Sequence, residues 1–228
     1  MSLKKFSIFA LCAILVFGSC GMNNTTKGGL IGGGGGAALG ALIGHFAGNT
    51  AIGAVAGAAI GTGAGVLIGK KMDKAKAAAQ AAAAQAKVEE VTDANGLKAV
   101  KVTFDSGILF ATNKADLNTD SKNALSKFAE VLRNNADMDI AIIGHTDNTG
   151  TDAINDPLSL NRAKSVESFL STSCGVNNKQ IKVVQGKGSR EPIASNDTKE
   201  GQTQNRRVEI FMYASQAMIE AANAGTLQ

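Results

Sequence analysis

The chain has 228 residues, a net charge of +4, no tryptophan and one tyrosine. That length accommodates one ordinary domain of about 100–150 residues plus extensions. Scattered basic residues with almost no aromatic surface argue against a nucleic-acid partner, while the mild positive balance suits an anionic polymer surface.

The amino terminus reads as a processed signal. Lys4-Lys5 is followed by an apolar core from Phe6 to Phe17 and then by the small-residue site Gly18-Ser19-Cys20. A cysteine directly after the cut is the mark of a bacterial lipoprotein signal. Residues 1–19 are thus expected to be removed, with Cys20 acylated and residues 20–27 a short tether. Gly21, rather than an acidic residue, follows Cys20, which resembles lipoproteins sent on to the outer membrane. Cys12 falls within the discarded segment. Cys174 is then left without a disulfide partner and reads as a small apolar residue after a helix.

Residues 28–69 carry glycines at 28, 32, 36, 40, 44 and 48, then at 53, 57, 61, 65 and 69. A step of four lines one helical face. Each glycine costs about 1 kcal/mol relative to alanine, which close backbone packing in lipid can offset. The phase break at Asn49-Thr50 predicts a turn between helices over 30–46 and 51–68. This hairpin approaches the ~20 apolar residues of a membrane span; a membrane-embedded hairpin and a low-complexity spacer are the two readings. Neither Gly32–Gly36 nor 64–71 makes a nucleotide loop. The first lacks a preceding strand, and the second lacks the leading glycine and has Lys71 where Ser or Thr is needed.

Residues 70–95 shift to Ala, Gln, Lys and Glu. The composition predicts a helix to about Val91 with no apolar stripe to bury, hence a solvated linker.

From Gly96 the patterning becomes that of a packed domain, ending at Tyr213 with a tail over 214–228. Residues 99–104 alternate as a half-buried strand, and Asn118–Ser121 offer caps for a helix bearing Ala124, Leu125, Phe128, Val131 and Leu132. A buried strand follows over 139–143. Pro157-Leu158-Ser159 opens a second helix, with Leu160, Ala163, Val166, Phe169 and Leu170 facing inward. Strands over 181–185 and 206–213 complete a β-α-β-α-β-β order, an α/β sandwich with helices on one sheet face.

The most informative stretch is Gly144-His145-Thr146-Asp147-Asn148-Thr149-Gly150. A buried apolar strand stops at a glycine and delivers short polar groups and one carboxylate, with Arg162 on the next helix and Asn205-Arg206-Arg207 on the last strand. A carboxylate and a guanidinium aimed at one spot complement a zwitterion. His145 has no second histidine, nucleophile elbow or metal cluster around it, so neither a catalytic nor a metal site is expected, and no cofactor.

These residues, with Asn155, Leu158-Ser159, Arg162-Ala163, Gly186-Lys187-Gly188, Pro192 and Asn205-Arg206-Arg207-Val208-Glu209, resemble the OmpA-like peptidoglycan-binding domain. The resemblance implies noncovalent binding of the diaminopimelate residue of the stem peptide. Asp147 would pair with its amine and Arg162 with its carboxylate, while Asn155, Thr149 and Arg206 would give supporting contacts. The glycine segment is similar to hairpins beside such domains. The expectation is therefore an outer-membrane lipoprotein, periplasmic in its binding domain, that tethers the envelope to peptidoglycan. The alternative is a glycine-zipper membrane oligomer or pore-like assembly in which wall binding is secondary.

Overall fold

The computed structural model describes residues 62–93, 96–105, 109–111 and 113–227. The signal, Cys20, and the glycine ladder through Gly61 lie outside these residues. The elements in chain order are α1 (Thr62–Ala82), β1 (Lys87–Thr92), β2 (Lys98–Asp105), α2 (Thr119–Asn134), β3 (Met138–Gly144) and α3 (Asp152–Ser168), which runs into a π-turn (Phe169–Ser173). After it come β4 (Ile181–Gly186), α4 (Lys199–Asn205), β5 (Arg207–Ala214) and α5 (Gln216–Asn223).

The five strands form one sheet in the order β1-β2-β5-β3-β4. Only β3 and β4, joined through α3, are parallel neighbours. β5 inserts antiparallel between β2 and β3, pairing Asp105 with Arg207 and Gly144 with Val208. The ends of β2, β3 and β4 and the start of β5 therefore meet at one edge, and their loops converge there. The α/β sandwich read from the patterning is what the chain forms.

The main core lies between the helices and one sheet face. Val102, Phe104, Ile140, Ile142, Val208, Ile210 and Met212 from the sheet meet Leu125, Phe128 and Leu132 from α2, Val166 from α3 and Leu170 from the π-turn. Phe104 and Phe128 pack edge to face with centroids 5.8 Å apart. α2 starts where its caps predict: Asn118 Oδ1 accepts the Ser121 N–H at 2.8 Å, and Ser121 Oγ donates to the Leu109 carbonyl at 2.7 Å. A smaller apolar cluster, including Ala141, Ile143, Phe211 and Tyr213, occupies the other face.

Two expectations are corrected. Residues 70–91 do not form a solvated helix without a stripe. α1 buries Ala64, Ile68, Met72, Ala75 and Ala79 in the main core, with Ala83 just beyond its end. Four of these six are alanines, so the stripe contrasts little with an alanine-rich background. Ile68, expected at the end of a membrane-type helix, is 0 % exposed within the domain. The chain then returns as β1, an edge strand whose Lys and Glu side chains suit an edge. Lys71 pairs with Asp137 at 2.6 Å and Lys98 with Asp73 at 3.0 Å, further fixing α1. No helix among the described residues is long and apolar enough to cross a membrane.

The second correction concerns α3, which opens at Asp152 rather than at Pro157. Thr151 takes the extended N-cap conformation, and its carbonyl accepts the Ile154 and Asn155 N–H groups at 3.0 and 2.9 Å. Pro157 sits inside the helix, near its start, where its missing N–H forfeits one backbone bond. Asn155 is thereby in the first turn instead of in a loop.

Candidate binding site

The site begins with a close approach of α3 to the sheet. A Cβ on Gly144 would overlap the Ser159 carbonyl, and one on Gly186 would overlap the Leu160 backbone nitrogen. The absence of side chains at these two strand ends lets α3 lie directly on β3 and β4. The loop after Gly144 is then stitched to the one after Gly186: Lys187 N–H donates to the Gly144 carbonyl and Thr146 N–H to the Gly188 carbonyl, both at 2.9 Å.

Within this frame Asp147 is buried, at 6 % exposure. Its Oδ1 accepts the Thr149 N–H at 2.8 Å, and its Oδ2 accepts Nη1 of Arg206 at 2.5 Å. Burial by itself would raise its pKa; the Arg206 guanidinium and the Thr149 N–H overcome this and hold it below the ordinary carboxylate value. A carboxylate has about four lone-pair sites, so acceptor capacity remains. Asn155, 3 % exposed, spans the base of the loop: Nδ2 donates to the Thr149 carbonyl at 3.2 Å and approaches that of Asp147 at 3.4 Å. Thr149 itself is exposed on the loop, where its N–H shapes the carboxylate.

Arg162 lies deeper in α3, 3 % exposed. Its Nε donates to the Lys114 carbonyl at 3.1 Å, and its guanidinium stacks over the Phe110 ring, 5.2 Å from the centroid. Its Nη1 is buried without a hydrogen-bond partner. Burial and the nearby Arg206 cation lower its pKa, against the pull of Asp147. The three charges thus share one neighbourhood, but the direct partner of Asp147 is Arg206, not Arg162. With Asp147 paired, Arg162 supplies a fixed cation with an unused N–H.

Arg206 precedes β5 at the C-cap of α4, so its guanidinium turns to the strand-end loops instead of continuing the core-facing row of Val208 and Ile210. Asn205, fully buried beside it, was legible only as part of the motif. Its Oδ1 accepts the Ile193 and Ala194 N–H groups at 2.8 and 3.0 Å, and its Nδ2 donates to the Ala194 carbonyl and Asn196 Oδ1, both at 2.9 Å. Asn196 Oδ1 also accepts the Asn148 N–H at 3.3 Å. Asn205 therefore clamps the loop that steadies the Asp147 loop. Phe110, Lys114 and Asn196 escaped the sequence reading, since no residue-type pattern announces a ring or carbonyl contributed from a distant loop.

His145 lies below this site, at 1 % exposure. Its Nε2 is 3.6 Å from Oε2 of Glu209, beyond hydrogen-bond range, and Glu209 Oε1 accepts Arg207 Nε at 2.8 Å. Burial, aided by the Arg207 charge and opposed by Glu209, lowers the His145 pKa. Burial pushes the Glu209 carboxyl up, but His145 and Arg207 outweigh it and hold it well below its usual value. Among the described residues no cluster of three or more His, Cys, Asp or Glu could hold a metal ion.

Comparison with known proteins finds similarity in two stretches of the chain. Residues 109–206 match the OmpA family model and residues 1–73 match the YMGG-like Gly-zipper model, so the two separate stretches are similar to known families. Outer membrane protein A of Bordetella avium is 39% identical over 117 residues, covering 51% of this chain and 59% of the relative. Peptidoglycan-binding protein ArfA of Mycobacterium bovis is 42% identical over 114 residues, covering 50% of this chain and 34% of the relative. The chain thus spans less than two thirds of either relative's length. The cell wall anchor of the T6SS from Pseudomonas aeruginosa superposes with a TM-score of 0.52 at 28% identity, over 63% of this chain and 97% of that one.

Proposed function

We propose that this chain binds peptidoglycan noncovalently, by the diaminopimelate of the stem peptide, and tethers the outer membrane to the wall through acylated Cys20. The observation that carries the reading is the buried, unbonded Nη1 of Arg162, whose guanidinium feels the charge of the Asp147 carboxylate. A buried guanidinium N–H left without an acceptor costs free energy, and a ligand carboxylate would satisfy it. Asp147 would accept the ligand amine at its remaining lone pairs, Arg206 would sit between the two ends of the zwitterion, and Asn155 and Thr149 would hold the loop. The work is binding rather than bond cleavage in this reading: the imidazole beside the loop, that of His145, is 1 % exposed and lies 3.6 Å from Glu209.

Weak individual contacts become firm attachment when many lipid-anchored copies face a continuous polymer. Membrane attachment by Cys20 and contacts between copies through the glycine segment belong to the same proposal. Cosedimentation of the purified full chain with cell wall tests the site. Asp147→Ala and Arg162→Ala are each expected to abolish it, and free diaminopimelate to compete. Retained binding by both folded variants would refute the assignment. Release of soluble muropeptides by the wild type would refute the binding-only account.

A further inference from the structure

An open cleft of about 620 Å³ runs beside the Arg162 pocket. One wall is the 115–117 segment with Lys122 from the first turn of α2. The other is the outer side of α3, with Asn161, Lys164 and Ser165, continued by Phe169 and Thr172 of the π-turn. The two sites share a lip. Lys114, whose carbonyl binds Arg162, directly precedes Ala115 in the cleft wall, and Asn161 and Ser165 flank Arg162 along α3.

Three features of this cleft suit a ligand. The ammonium groups of Lys122 and Lys164 have no carboxylate partner among the described residues. α3 ends in a five-residue π-turn, a rare geometry that recurs at functional sites, and its residues form part of the wall. The volume also falls in the range of small-molecule sites, about 300–1,000 Å³.

We infer that the cleft holds the carboxylate- and hydroxyl-bearing part of the wall polymer that adjoins the residue bound at Asp147 and Arg162. The inference rests on the proposed function. Lys122 and Lys164 are mobile point charges suited to partly hydrated carboxylates. Asp116 and the hydroxyls of Ser165 and Ser168 offer partners for ligand hydroxyls, and Phe169 and Leu117 supply apolar surface between them. Stem-peptide carboxylates and glycan hydroxyls both present this chemistry, so the probes must separate them.

Calorimetric titration of the purified full chain with free meso-diaminopimelate, a diaminopimelate-containing stem tetrapeptide and the disaccharide tetrapeptide does so. The charge reversal Lys122→Glu/Lys164→Glu is expected to weaken the larger probes at least tenfold and leave free diaminopimelate unchanged. A loss first seen with the tetrapeptide assigns the cleft to peptide carboxylates; one seen only with the disaccharide probe assigns it to sugar. The double variant Lys122→Gln/Lys164→Gln, which removes charge without reversing it, should show the same pattern more weakly and guards against misfolding. Unchanged binding of all three probes by both double variants would overturn the inference and leave the Asp147 site standing. Failure of the wild type to bind free diaminopimelate would bring down the function proposal itself.

Discussion

Nη1 of Arg206 stands 2.5 Å from Oδ2 of Asp147, although 59 residues separate them in the chain. The pair forms because β5 enters the sheet antiparallel beside β3, placing its start against the end of β3. Asp147 is thus held ionised and oriented from within the protein, while Arg162 keeps an unused N–H.

Replacing Arg206 with Gln removes the largest interaction that lowers the Asp147 pKa, leaving burial to push it upward. Carboxyl titration by NMR should show the Asp147 pKa rising in Arg206→Gln. Affinity for diaminopimelate should fall by roughly tenfold, the scale of one charge-assisted hydrogen bond. An unshifted Asp147 titration would contradict the pairing.

The close approach of α3 to the strand ends predicts a steric cost. Gly144→Ala would drive a methyl into the Ser159 carbonyl, part of the α3 backbone, which cannot yield as a side-chain tip would. A loss of about 3 kcal/mol in urea unfolding is expected, at the upper end of ordinary overpacking. Gly63→Ala, with nothing within 4 Å, should leave stability unchanged or slightly raised.

If α1 belongs to the core, truncating its stripe must create a cavity. Ile68→Ala should cost about 2–5 kcal/mol, and Met72→Ala a similar amount, against near zero for a solvated linker. Equilibrium unfolding of the full chain decides between these; wild-type stability in Ile68→Ala would return α1 to the role of a spacer.

His145 gives the fold a pH dependence. Its folded pKa is lowered, chiefly by burial, so the unfolded chain binds the proton more readily. Its stabilising contribution is present above the unfolded value of about 6.5 and is lost as the pH falls from there toward the folded value. Denaturation midpoints should drop between about pH 7 and about pH 5, and His145→Gln should flatten that slope. An equal slope in both proteins would show that another group carries it.

The site loop was legible because its signals are local. An apolar run ends at a glycine, and a carboxylate and short amides follow within a few residues. Asn118 could be placed as a cap for the same reason. The stripe of α1 was not legible, because Ala64, Ala75, Ala79 and Ala83 are core residues drawn from the alanine that also fills the exposed face. β1 hid for a related reason: an edge strand dressed in Lys and Glu carries little alternation. The start of α3 was misplaced because Pro157 reads as an opening residue, while the helix begins on backbone bonds to Thr151 that no side chain advertises.

The sequence by itself singled out the proposed binding residues, Asp147, Arg162, Arg206 and the amides around them, as chemical types complementary to a zwitterion. Which of these groups pair with one another, and which N–H is buried without a partner, only the tertiary structure decided. Charge pairing depends on distance across the sheet. That distance follows from where β5 inserts and how closely glycine-ended strands admit α3, and both are properties of the packed chain.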